Sequence, residues 1–470
     1  MPRLRPLLAG IVLVLLACLG TGAAAAAPGG RAPEQALAAG AFADSVGVNL
    51  RPAGAAAGWA LAERLQDAGI HHVRGPAAGP DDPALPGLRA LAGAGLQLDL
   101  VAGAGTDPET LAATAASIGT AVAAVEAPAG EPATPLRRAV RAHPALAGVA
   151  VLGSGGEVDY QAVRLELGGR CPGCVDDRLG AGDGVVQVTE AALGGGVPPA
   201  VAARYLPRLL LANAGQAVRT YVEGGDGADG GPGLFDAAGS PTPAYAAVAS
   251  LLALLDDGRK QVDPGQLGVR LTGDTGQVEH RLFQKADGHF WLALWVERSG
   301  WDPDGGQALA VPAQRVTVAL DTPVAGARAF LPELGTSAQH SFTDPPGPGR
   351  LDAIDLEVGD QVQLLELLPR GAGGAAPRAT APPAAPAQAT ATTQAPVVKG
   401  ASQPPPTTTP GAGPAKAAAA RPTAALDPAS RAPLAFTGST ALSMLGASML
   451  LLLVGAAALF ASRRRYHHRH

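Results

Sequence analysis

Between residues 46 and 257 the chain repeats one pattern: a short β-prone run, a turn, a segment of helical spacing, another turn. VGVNL (46–50) precedes WALAERLQDAG (59–69), where Trp59, Leu61, Ala62 and Leu65 share one helical face and Gly69 stops it. IHHVRG leads to LRALAGAG, and LQLDLVAG to DPETLAATAASIG, whose Asp107 and Pro108 suit an N-cap and a first helical position. AVAAVE, GVAVLG, VVQVTE and AVRTYV continue the strand series, with LRRAVRAH, VAARYLPRLLLANAG and YAAVASLLALLDD as helices. A strand needs its edges paired and a helix needs one face covered, and regular alternation satisfies both as a parallel α/β fold. The number of repeats, near eight, favours a closed TIM (β/α)8-type barrel over an open doubly wound sheet, so 44–257 is assigned to a barrel.

After Asp257 the pattern changes. LGVRLTG, QVEHRLFQ, HFWLALWVE, QRVTVALD, GARAFL and QVQLLELL are strands set between Gly, Pro and Asp turns, which predicts a β-sandwich over 258–370. In HFWLALWVE, Phe290, Leu292, Leu294 and Val296 alternate with Trp291 and Trp295. That pattern fits a strand buried on both faces, one in the sandwich and one against the barrel, better than an aromatic platform for sugars. Trp301, in SGWDPDGG, is the better candidate for stacking on a sugar. Residues 371–433 are almost wholly Ala, Pro, Thr and Gly, without an aromatic residue. Such a segment buries too little apolar surface to offset its ordering entropy and is read as a disordered stalk. Extended at ~3.1 Å per residue it reaches on the order of 200 Å, the scale of a thick cell wall.

The two ends carry addresses. Arg3 and Arg5, the apolar run LLAGIVLVLLACLG and the small residues TGAAAAAPGG make 1–27 a signal peptide, cut among residues 23–27. LLAC at 15–18 also resembles a lipobox with Cys18 as the lipidated residue, and this alternative stays open. At the other end, 434–470 reads LAFTGS, an uncharged apolar segment (440–462) long enough for a transmembrane helix, and the basic tail RRRYHHRH. The order of motif, span and tail resembles a sortase substrate, and Leu434, Ala435, Phe436, Thr437 and Gly438 fit the LAxTG form used by high-GC Gram-positive bacteria. The resemblance implies a sortase as partner, cleavage between Thr437 and Gly438, and covalent transfer of Thr437 to peptidoglycan. The Ala-, Gly- and Pro-rich, Lys-poor composition agrees with an actinobacterial origin, and the expected location is secreted and cell-wall anchored.

Composition excludes some classes. A net charge of -5 over 470 residues leaves no basic footprint for nucleic acid. Of three cysteines, Cys18 leaves with the signal peptide, and Cys171 and Cys174 form CPGC. Outside the membrane such a pair is most simply a local disulfide, and two thiols alone make a poor zinc site. The Asp residues of GGDGADGGPG and DPDGG lack the spacing of a calcium loop, and the histidines are scattered, so neither a metal nor a cofactor is expected.

Carboxylates that follow barrel strands are the candidates for chemistry: Glu126 and Glu131 in VEAPAGEP, Glu190 in VVQVTE, and Glu223 after AVRTYV. Hydrolysis of a glycosidic bond needs two of them, one protonated and one ionised. The chain resembles the clan of retaining TIM-barrel glycosidases, nearest the family 39 β-xylosidase type. There a strand ends in E-G-P-N-E and a later one in T-E; VGVNL, AGIHHVRG with Arg74, GLFDAAGSPTPAYAAVASLL and FQKADGHFWLALWVE match further segments. The resemblance implies Glu131 as acid/base and Glu190 as nucleophile. It also marks departures. Gly130 stands where the family has a sugar-holding Asn, Ala162, Arg164 and Leu165 occupy the stretch that carries its His and amide, and Leu50 and Arg51 follow Asn49. Two functions follow: a weak retaining β-glycosidase acting on extracellular glycans, or a catalytically silent carbohydrate-binding or adhesion module on the cell surface.

Overall fold

A computed structural model describes residues 33–50, 55–175, 179, 184–194, 196–225, 232–258, 263–343 and 350–370, all within one compact unit. The segments read as signal peptide, Cys18 lipobox, stalk, sorting motif and transmembrane helix lie outside these residues. Among the described residues no helix is long and apolar enough to cross a membrane.

The chain opens with β1 (Glu34–Gln35), β2 (Leu37–Ala38) and the short helix α1 (Ala39–Asp44). The alternation then folds as its pattern predicts. Strands β3 (Val46–Asn49), β4 (His72–Pro76), β5 (Gln97–Val101), β6 (Val122–Glu126), β7 (Ala150–Gly153), β8 (Tyr160–Glu166), β9 (Val186–Ala192) and β10 (Ala217–Glu223) are parallel and close into an eight-stranded barrel, β10 pairing back onto β3. Outside it lie α2 (Ala55–Asp67), α3 (Leu85–Gly93), α4 (Pro108–Ile118), α5 (Thr134–Ala142), α6 (Pro199–Asn213) and α7 (Pro243–Leu255). Asp107 caps α4, its Oδ2 accepting from the Thr110 amide at 2.9 Å, and Thr242 caps α7 in the same way. No described helix follows β7 or β8; after β8 comes the 3-10 turn Pro172–Cys174.

Outward-facing side chains such as Val46, Val48, Val73, Leu98, Leu100, Val125 and Val188 are buried beneath the helices. Alternate residues point into the lumen. Gly47 is needed there, because a Cβ at that position would overlap the ring of Tyr221 on the adjacent strand.

The second layer pair is built from β11 (Gln266–Leu267), β12 (Val269–Gly273), β13 (Val278–Gln284), β14 (Phe290–Val296), the two-residue strands β15 (Trp301–Asp302) and β16 (Gln307–Ala308), β17 (Gln314–Phe330), β18 (Ala338–Thr343), β19 (Leu351–Val358) and β20 (Gln363–Pro369). The 17-residue β17 joins the two layers: its first half pairs with β12 and β19, its second half with β18 and β20. Leu282, Leu292, Leu294, Val316, Val318, Ile354 and Leu365 fill the space between. Trp291 and Trp295, on the opposite face of β14 from Leu292 and Leu294, belong to the barrel-side core. The sandwich is not contiguous in sequence. Residues ahead of the barrel complete it, with β1 antiparallel to β11 and β2 parallel to β13.

Candidate functional site

At the carboxyl ends of the barrel strands, polar side chains bond across the lumen rather than along it. Arg74 on β4 donates through Nε to Glu126 Oε2 on β6 at 2.7 Å, past the intervening β5. Both side chains are buried, at 8% and 6% exposure, so this is an interior ion pair. Arg74 Nη1 also donates to Asn49 Oδ1 at 3.1 Å, and Asn49 Nδ2 donates to Glu223 Oε1 at 3.1 Å. Four strands, β10, β3, β4 and β6, are thus tied into one chain, Glu223–Asn49–Arg74–Glu126. Burial alone would lower the Arg74 pKa; the hydrogen bond and charge of Glu126, with Asp99 and Glu190 behind, raise it instead.

One layer deeper, Gln187 Nε2 on β9 donates to Asp99 Oδ2 on β5 at 2.7 Å, again between strands that are not neighbours. Asp99 and Gln187 are both fully buried. Burial pushes the Asp99 carboxyl up to about 7; the negative charge of Glu126 adds to this, and Arg74, Arg219 and the Gln187 bond oppose it. The Tyr221 hydroxyl is also held well above its ordinary range, first by burial and then by Asp99. Barrels of this type fill their interior mainly with branched aliphatics. This one fills it with a polar network.

The two residues expected to act as a catalytic pair stand in different settings. Glu190 lies on β9 in register with Arg164 on β8, and Arg164 Nη1 is 3.4 Å from its Oε2. Its side chain is 29% exposed, and its charge reaches Arg74. Glu131 is exposed on the loop beyond β6. Its amide donates to the Pro128 carbonyl at 3.1 Å, and Gly130 has φ 79°, so APAGE closes as a turn whose third position requires glycine. There Glu131 borders a pocket of about 120 Å³ with Thr106, Pro108, Pro128, Pro132 and Pro135. The Arg74 field joins Glu190 to Glu126 and Asp99. Glu131 takes no part in the hydrogen bonds of that network.

The sequence pattern marks Arg74, Glu126 and Glu223, but it does not reveal Asp99 as the centre of the lumen. The signal was present in QLDLV, a carboxylate between two leucines in mid-strand, where only an internal partner tolerates it. Trp301 is partly buried and packs against the barrel-side core. Cys171 and Cys174 are joined as a disulfide across the Pro172–Cys174 turn.

No family model matches the chain, and no curated protein matches it. Among solved structures it is similar to a family 39 glycoside hydrolase from the gut symbiont Bacteroides cellulosilyticus, at 14% identity over 70% of this chain and 82% of that one, with a TM-score of 0.49. It is similar to a family 30 subfamily 8 xylanase from Clostridium acetobutylicum at 9% identity, covering 72% and 97%, with a TM-score of 0.43. An oligosaccharide-binding protein from Trichoderma gamsii matches at 12% identity, covering 44% and 93%, with a TM-score of 0.31. By its own strand order the chain is a closed eight-stranded parallel α/β barrel with an appended β-sandwich.

Proposed function

We propose that this protein is a wall-anchored surface protein that presents a glycosidase-like barrel to extracellular carbohydrate and binds it with weak or no hydrolysis. The observation that carries the reading is the buried Arg74–Glu126 pair. It spends the strand-end carboxylate of β6 on an internal cation and ties the mouth together through Asn49 and Glu223. A retaining mechanism needs two carboxyl groups facing each other across a sugar, about 5–5.5 Å apart. Glu190 is engaged with Arg164, and Glu131 stands in solvent on a turn that carries Gly130 in place of a sugar-holding amide. Lost positioning costs rate, since orientation supplies several kcal/mol of a barrier, up to about 7–11 in the best cases. The second reading is a weak retaining β-glycosidase with Glu131 as acid/base and Glu190 as nucleophile. It is favoured by the partly exposed side chain of Glu190, whose charge reaches Arg74.

The ectodomain for the test spans residues 33–370, because β1 and β2 belong to the sandwich. We expect retention of β-glycans on an array and little or no turnover of an aryl β-glycoside panel. Any turnover present disappears in Glu190→Gln and returns in Glu190→Gly with azide, a small anion that replaces the missing nucleophile. Strong turnover that survives Glu190→Gln removes Glu190 from the mechanism, and absence of both turnover and glycan retention ends the carbohydrate reading.

A further inference from the structure

Where the barrel meets the sandwich, three ligand groups converge that are far apart in sequence. Cys171 Sγ, Cys174 Sγ and a Glu297 carboxylate oxygen lie within 4.8 Å of one another. The cysteines belong to the Pro172–Cys174 turn that follows β8, and Glu297 directly follows β14. The turn rests on the carboxylate: a Cβ on Gly173 would overlap the Glu297 side chain.

Glu297 is held from behind. Trp295 Nε1 donates to its Oε2 at 2.6 Å, and Arg208 Nη2 on α6 donates to its Oε1. Hydrogen bonds of this kind orient the carboxylates that bind metals, and each carboxylate oxygen keeps a further lone pair for a ligand. The Arg208 side chain is completely buried; among the described residues Nη2 donates to Glu297 and the Arg298 carbonyl, while Nε and Nη1 have no hydrogen-bond partner and the guanidinium lies over the Tyr205 ring. The charges also permit a divalent cation once the cysteines are thiolates. Two thiolates, one carboxylate and a divalent cation sum to one negative charge, and Arg208 beside them brings the group to neutrality. Two cysteines alone make a poor zinc site; the fold supplies a third ligand and its hydrogen-bonded support.

We propose that reduction of the Cys171–Cys174 disulfide creates a site for one thiophilic divalent cation of the zinc class, bound by both thiolates and Glu297, with Arg208 as the balancing charge. In the oxidised protein the two sulfurs bond to each other and the site is closed. A dithiol or phosphine reductant supplies two electrons, the S–S bond breaks to two thiols, and each thiol releases its proton to the medium as the cation binds. The bound cation then joins Cys171 and Cys174 of the barrel to Glu297 of the sandwich, a link across the seam that the local disulfide does not make.

The probe is Co²⁺, whose thiolate complexes have a charge-transfer absorption that oxygen-ligated Co²⁺ lacks. The purified full chain is compared oxidised and after treatment with a trialkylphosphine, which takes up the oxygen of water as the disulfide opens. We expect no thiolate band from the oxidised chain, and a band from the reduced chain that saturates at one Co²⁺ and is displaced by Zn²⁺. Cys171→Ser and Cys174→Ser abolish it. Glu297→Gln weakens Co²⁺ binding by about tenfold or more, as loss of a ligand should when supporting contacts alone are worth 10–100-fold. Glu297→Asp keeps a counter-charge for Arg208 while withdrawing the carboxylate by one methylene, and it shows the same weakening if Glu297→Gln fails to fold. A reduced chain without the band, or Glu297→Asp binding Co²⁺ as tightly as the wild type, overturns the proposal.

Discussion

Asp99 sets the residue-scale behaviour of the barrel. Its carboxyl is fully buried, bonded to Gln187, and pushed up to about 7 first by burial and then by Glu126. In the unfolded chain it titrates near ~3.9. Between these values the folded state holds a proton that the unfolded state has lost, so stability falls as pH rises through this window. The contribution is fully present below about pH 4 and gone above about pH 7, and a shift of this size is worth on the order of 4 kcal/mol. We expect Asp99→Asn, which keeps an acceptor for Gln187 and cannot ionise, to gain stability relative to wild type between pH 5 and pH 8. Urea midpoints at the two pH values check this; parallel changes in both proteins would show that Asp99 is already ionised at pH 5. The adjacent Arg74–Glu126 pair illustrates why such a lumen is specific. Removing one member of a buried pair leaves the other charge unpaired, at a typical cost of about 3–5 kcal/mol.

At the scale of elements, the short strands ahead of the barrel have a larger role than their length implies. Ala36 is buried in the sandwich core, and its amide donates to the Gly265 carbonyl at 3.0 Å. Glu34 Oε2 lies 2.8 Å from His280 Nε2, and Gln266 Nε2 donates to Gln35 Oε1 at 3.1 Å. Leu37 and Ala38 extend the sheet beside Phe283 and Gln284. These residues strap the beginning of the barrel to the domain that follows it. A chain that begins at Ala39 should therefore lose hydrogen-exchange protection at 266–267 and 283–284, with a Tm several degrees lower. Unchanged protection at both places would mean the strap adds nothing to the sandwich. Helix α6 makes the matching contact from the other side, through Arg204 to Asp360 at 3.0 Å, Tyr205 to Ser299 at 3.0 Å, and Arg208 to Glu297.

For the whole molecule the proposal of wall anchoring rests on the order of LAFTG, apolar span and RRRYHHRH at the end of the chain. Thr437→Ala should leave the protein in the membrane fraction, because no acyl intermediate forms without the Thr437–Gly438 bond that a sortase cleaves. The measurement is release of the protein from muralytic digests. Peptidoglycan fragments covalently bound to the Thr437→Ala protein would show that the motif is not the anchor. Barrel and sandwich share one core: Trp291, Trp295, Phe330 and Leu364 of the sandwich strands belong to the same buried cluster as the barrel strands. The two are therefore expected to unfold together.

Periodicity carried the fold. A strand buried beneath helices must be apolar on its outer face and a helix apolar on one stripe, so VGVNL, LQLDLVAG and WALAERLQDAG disclosed their type locally, and Asp107 disclosed a helix start through its own side chain. The alternation of tryptophan and aliphatic residues in HFWLALWVE likewise carried its two-sided burial. What the residues of the lumen do was not legible, because it depends on pairs drawn from non-adjacent strands: Arg74 with Glu126, and Asp99 with Gln187. Closure of the barrel brings those pairs together, and no local pattern encodes which inward side chains will meet. The same holds for Glu297 beside CPGC and for β1 and β2 in the sandwich. Local propensity and hydrophobic period act over a few residues, whereas the charge partners that decide a carboxylate's role are chosen by the path of the whole chain.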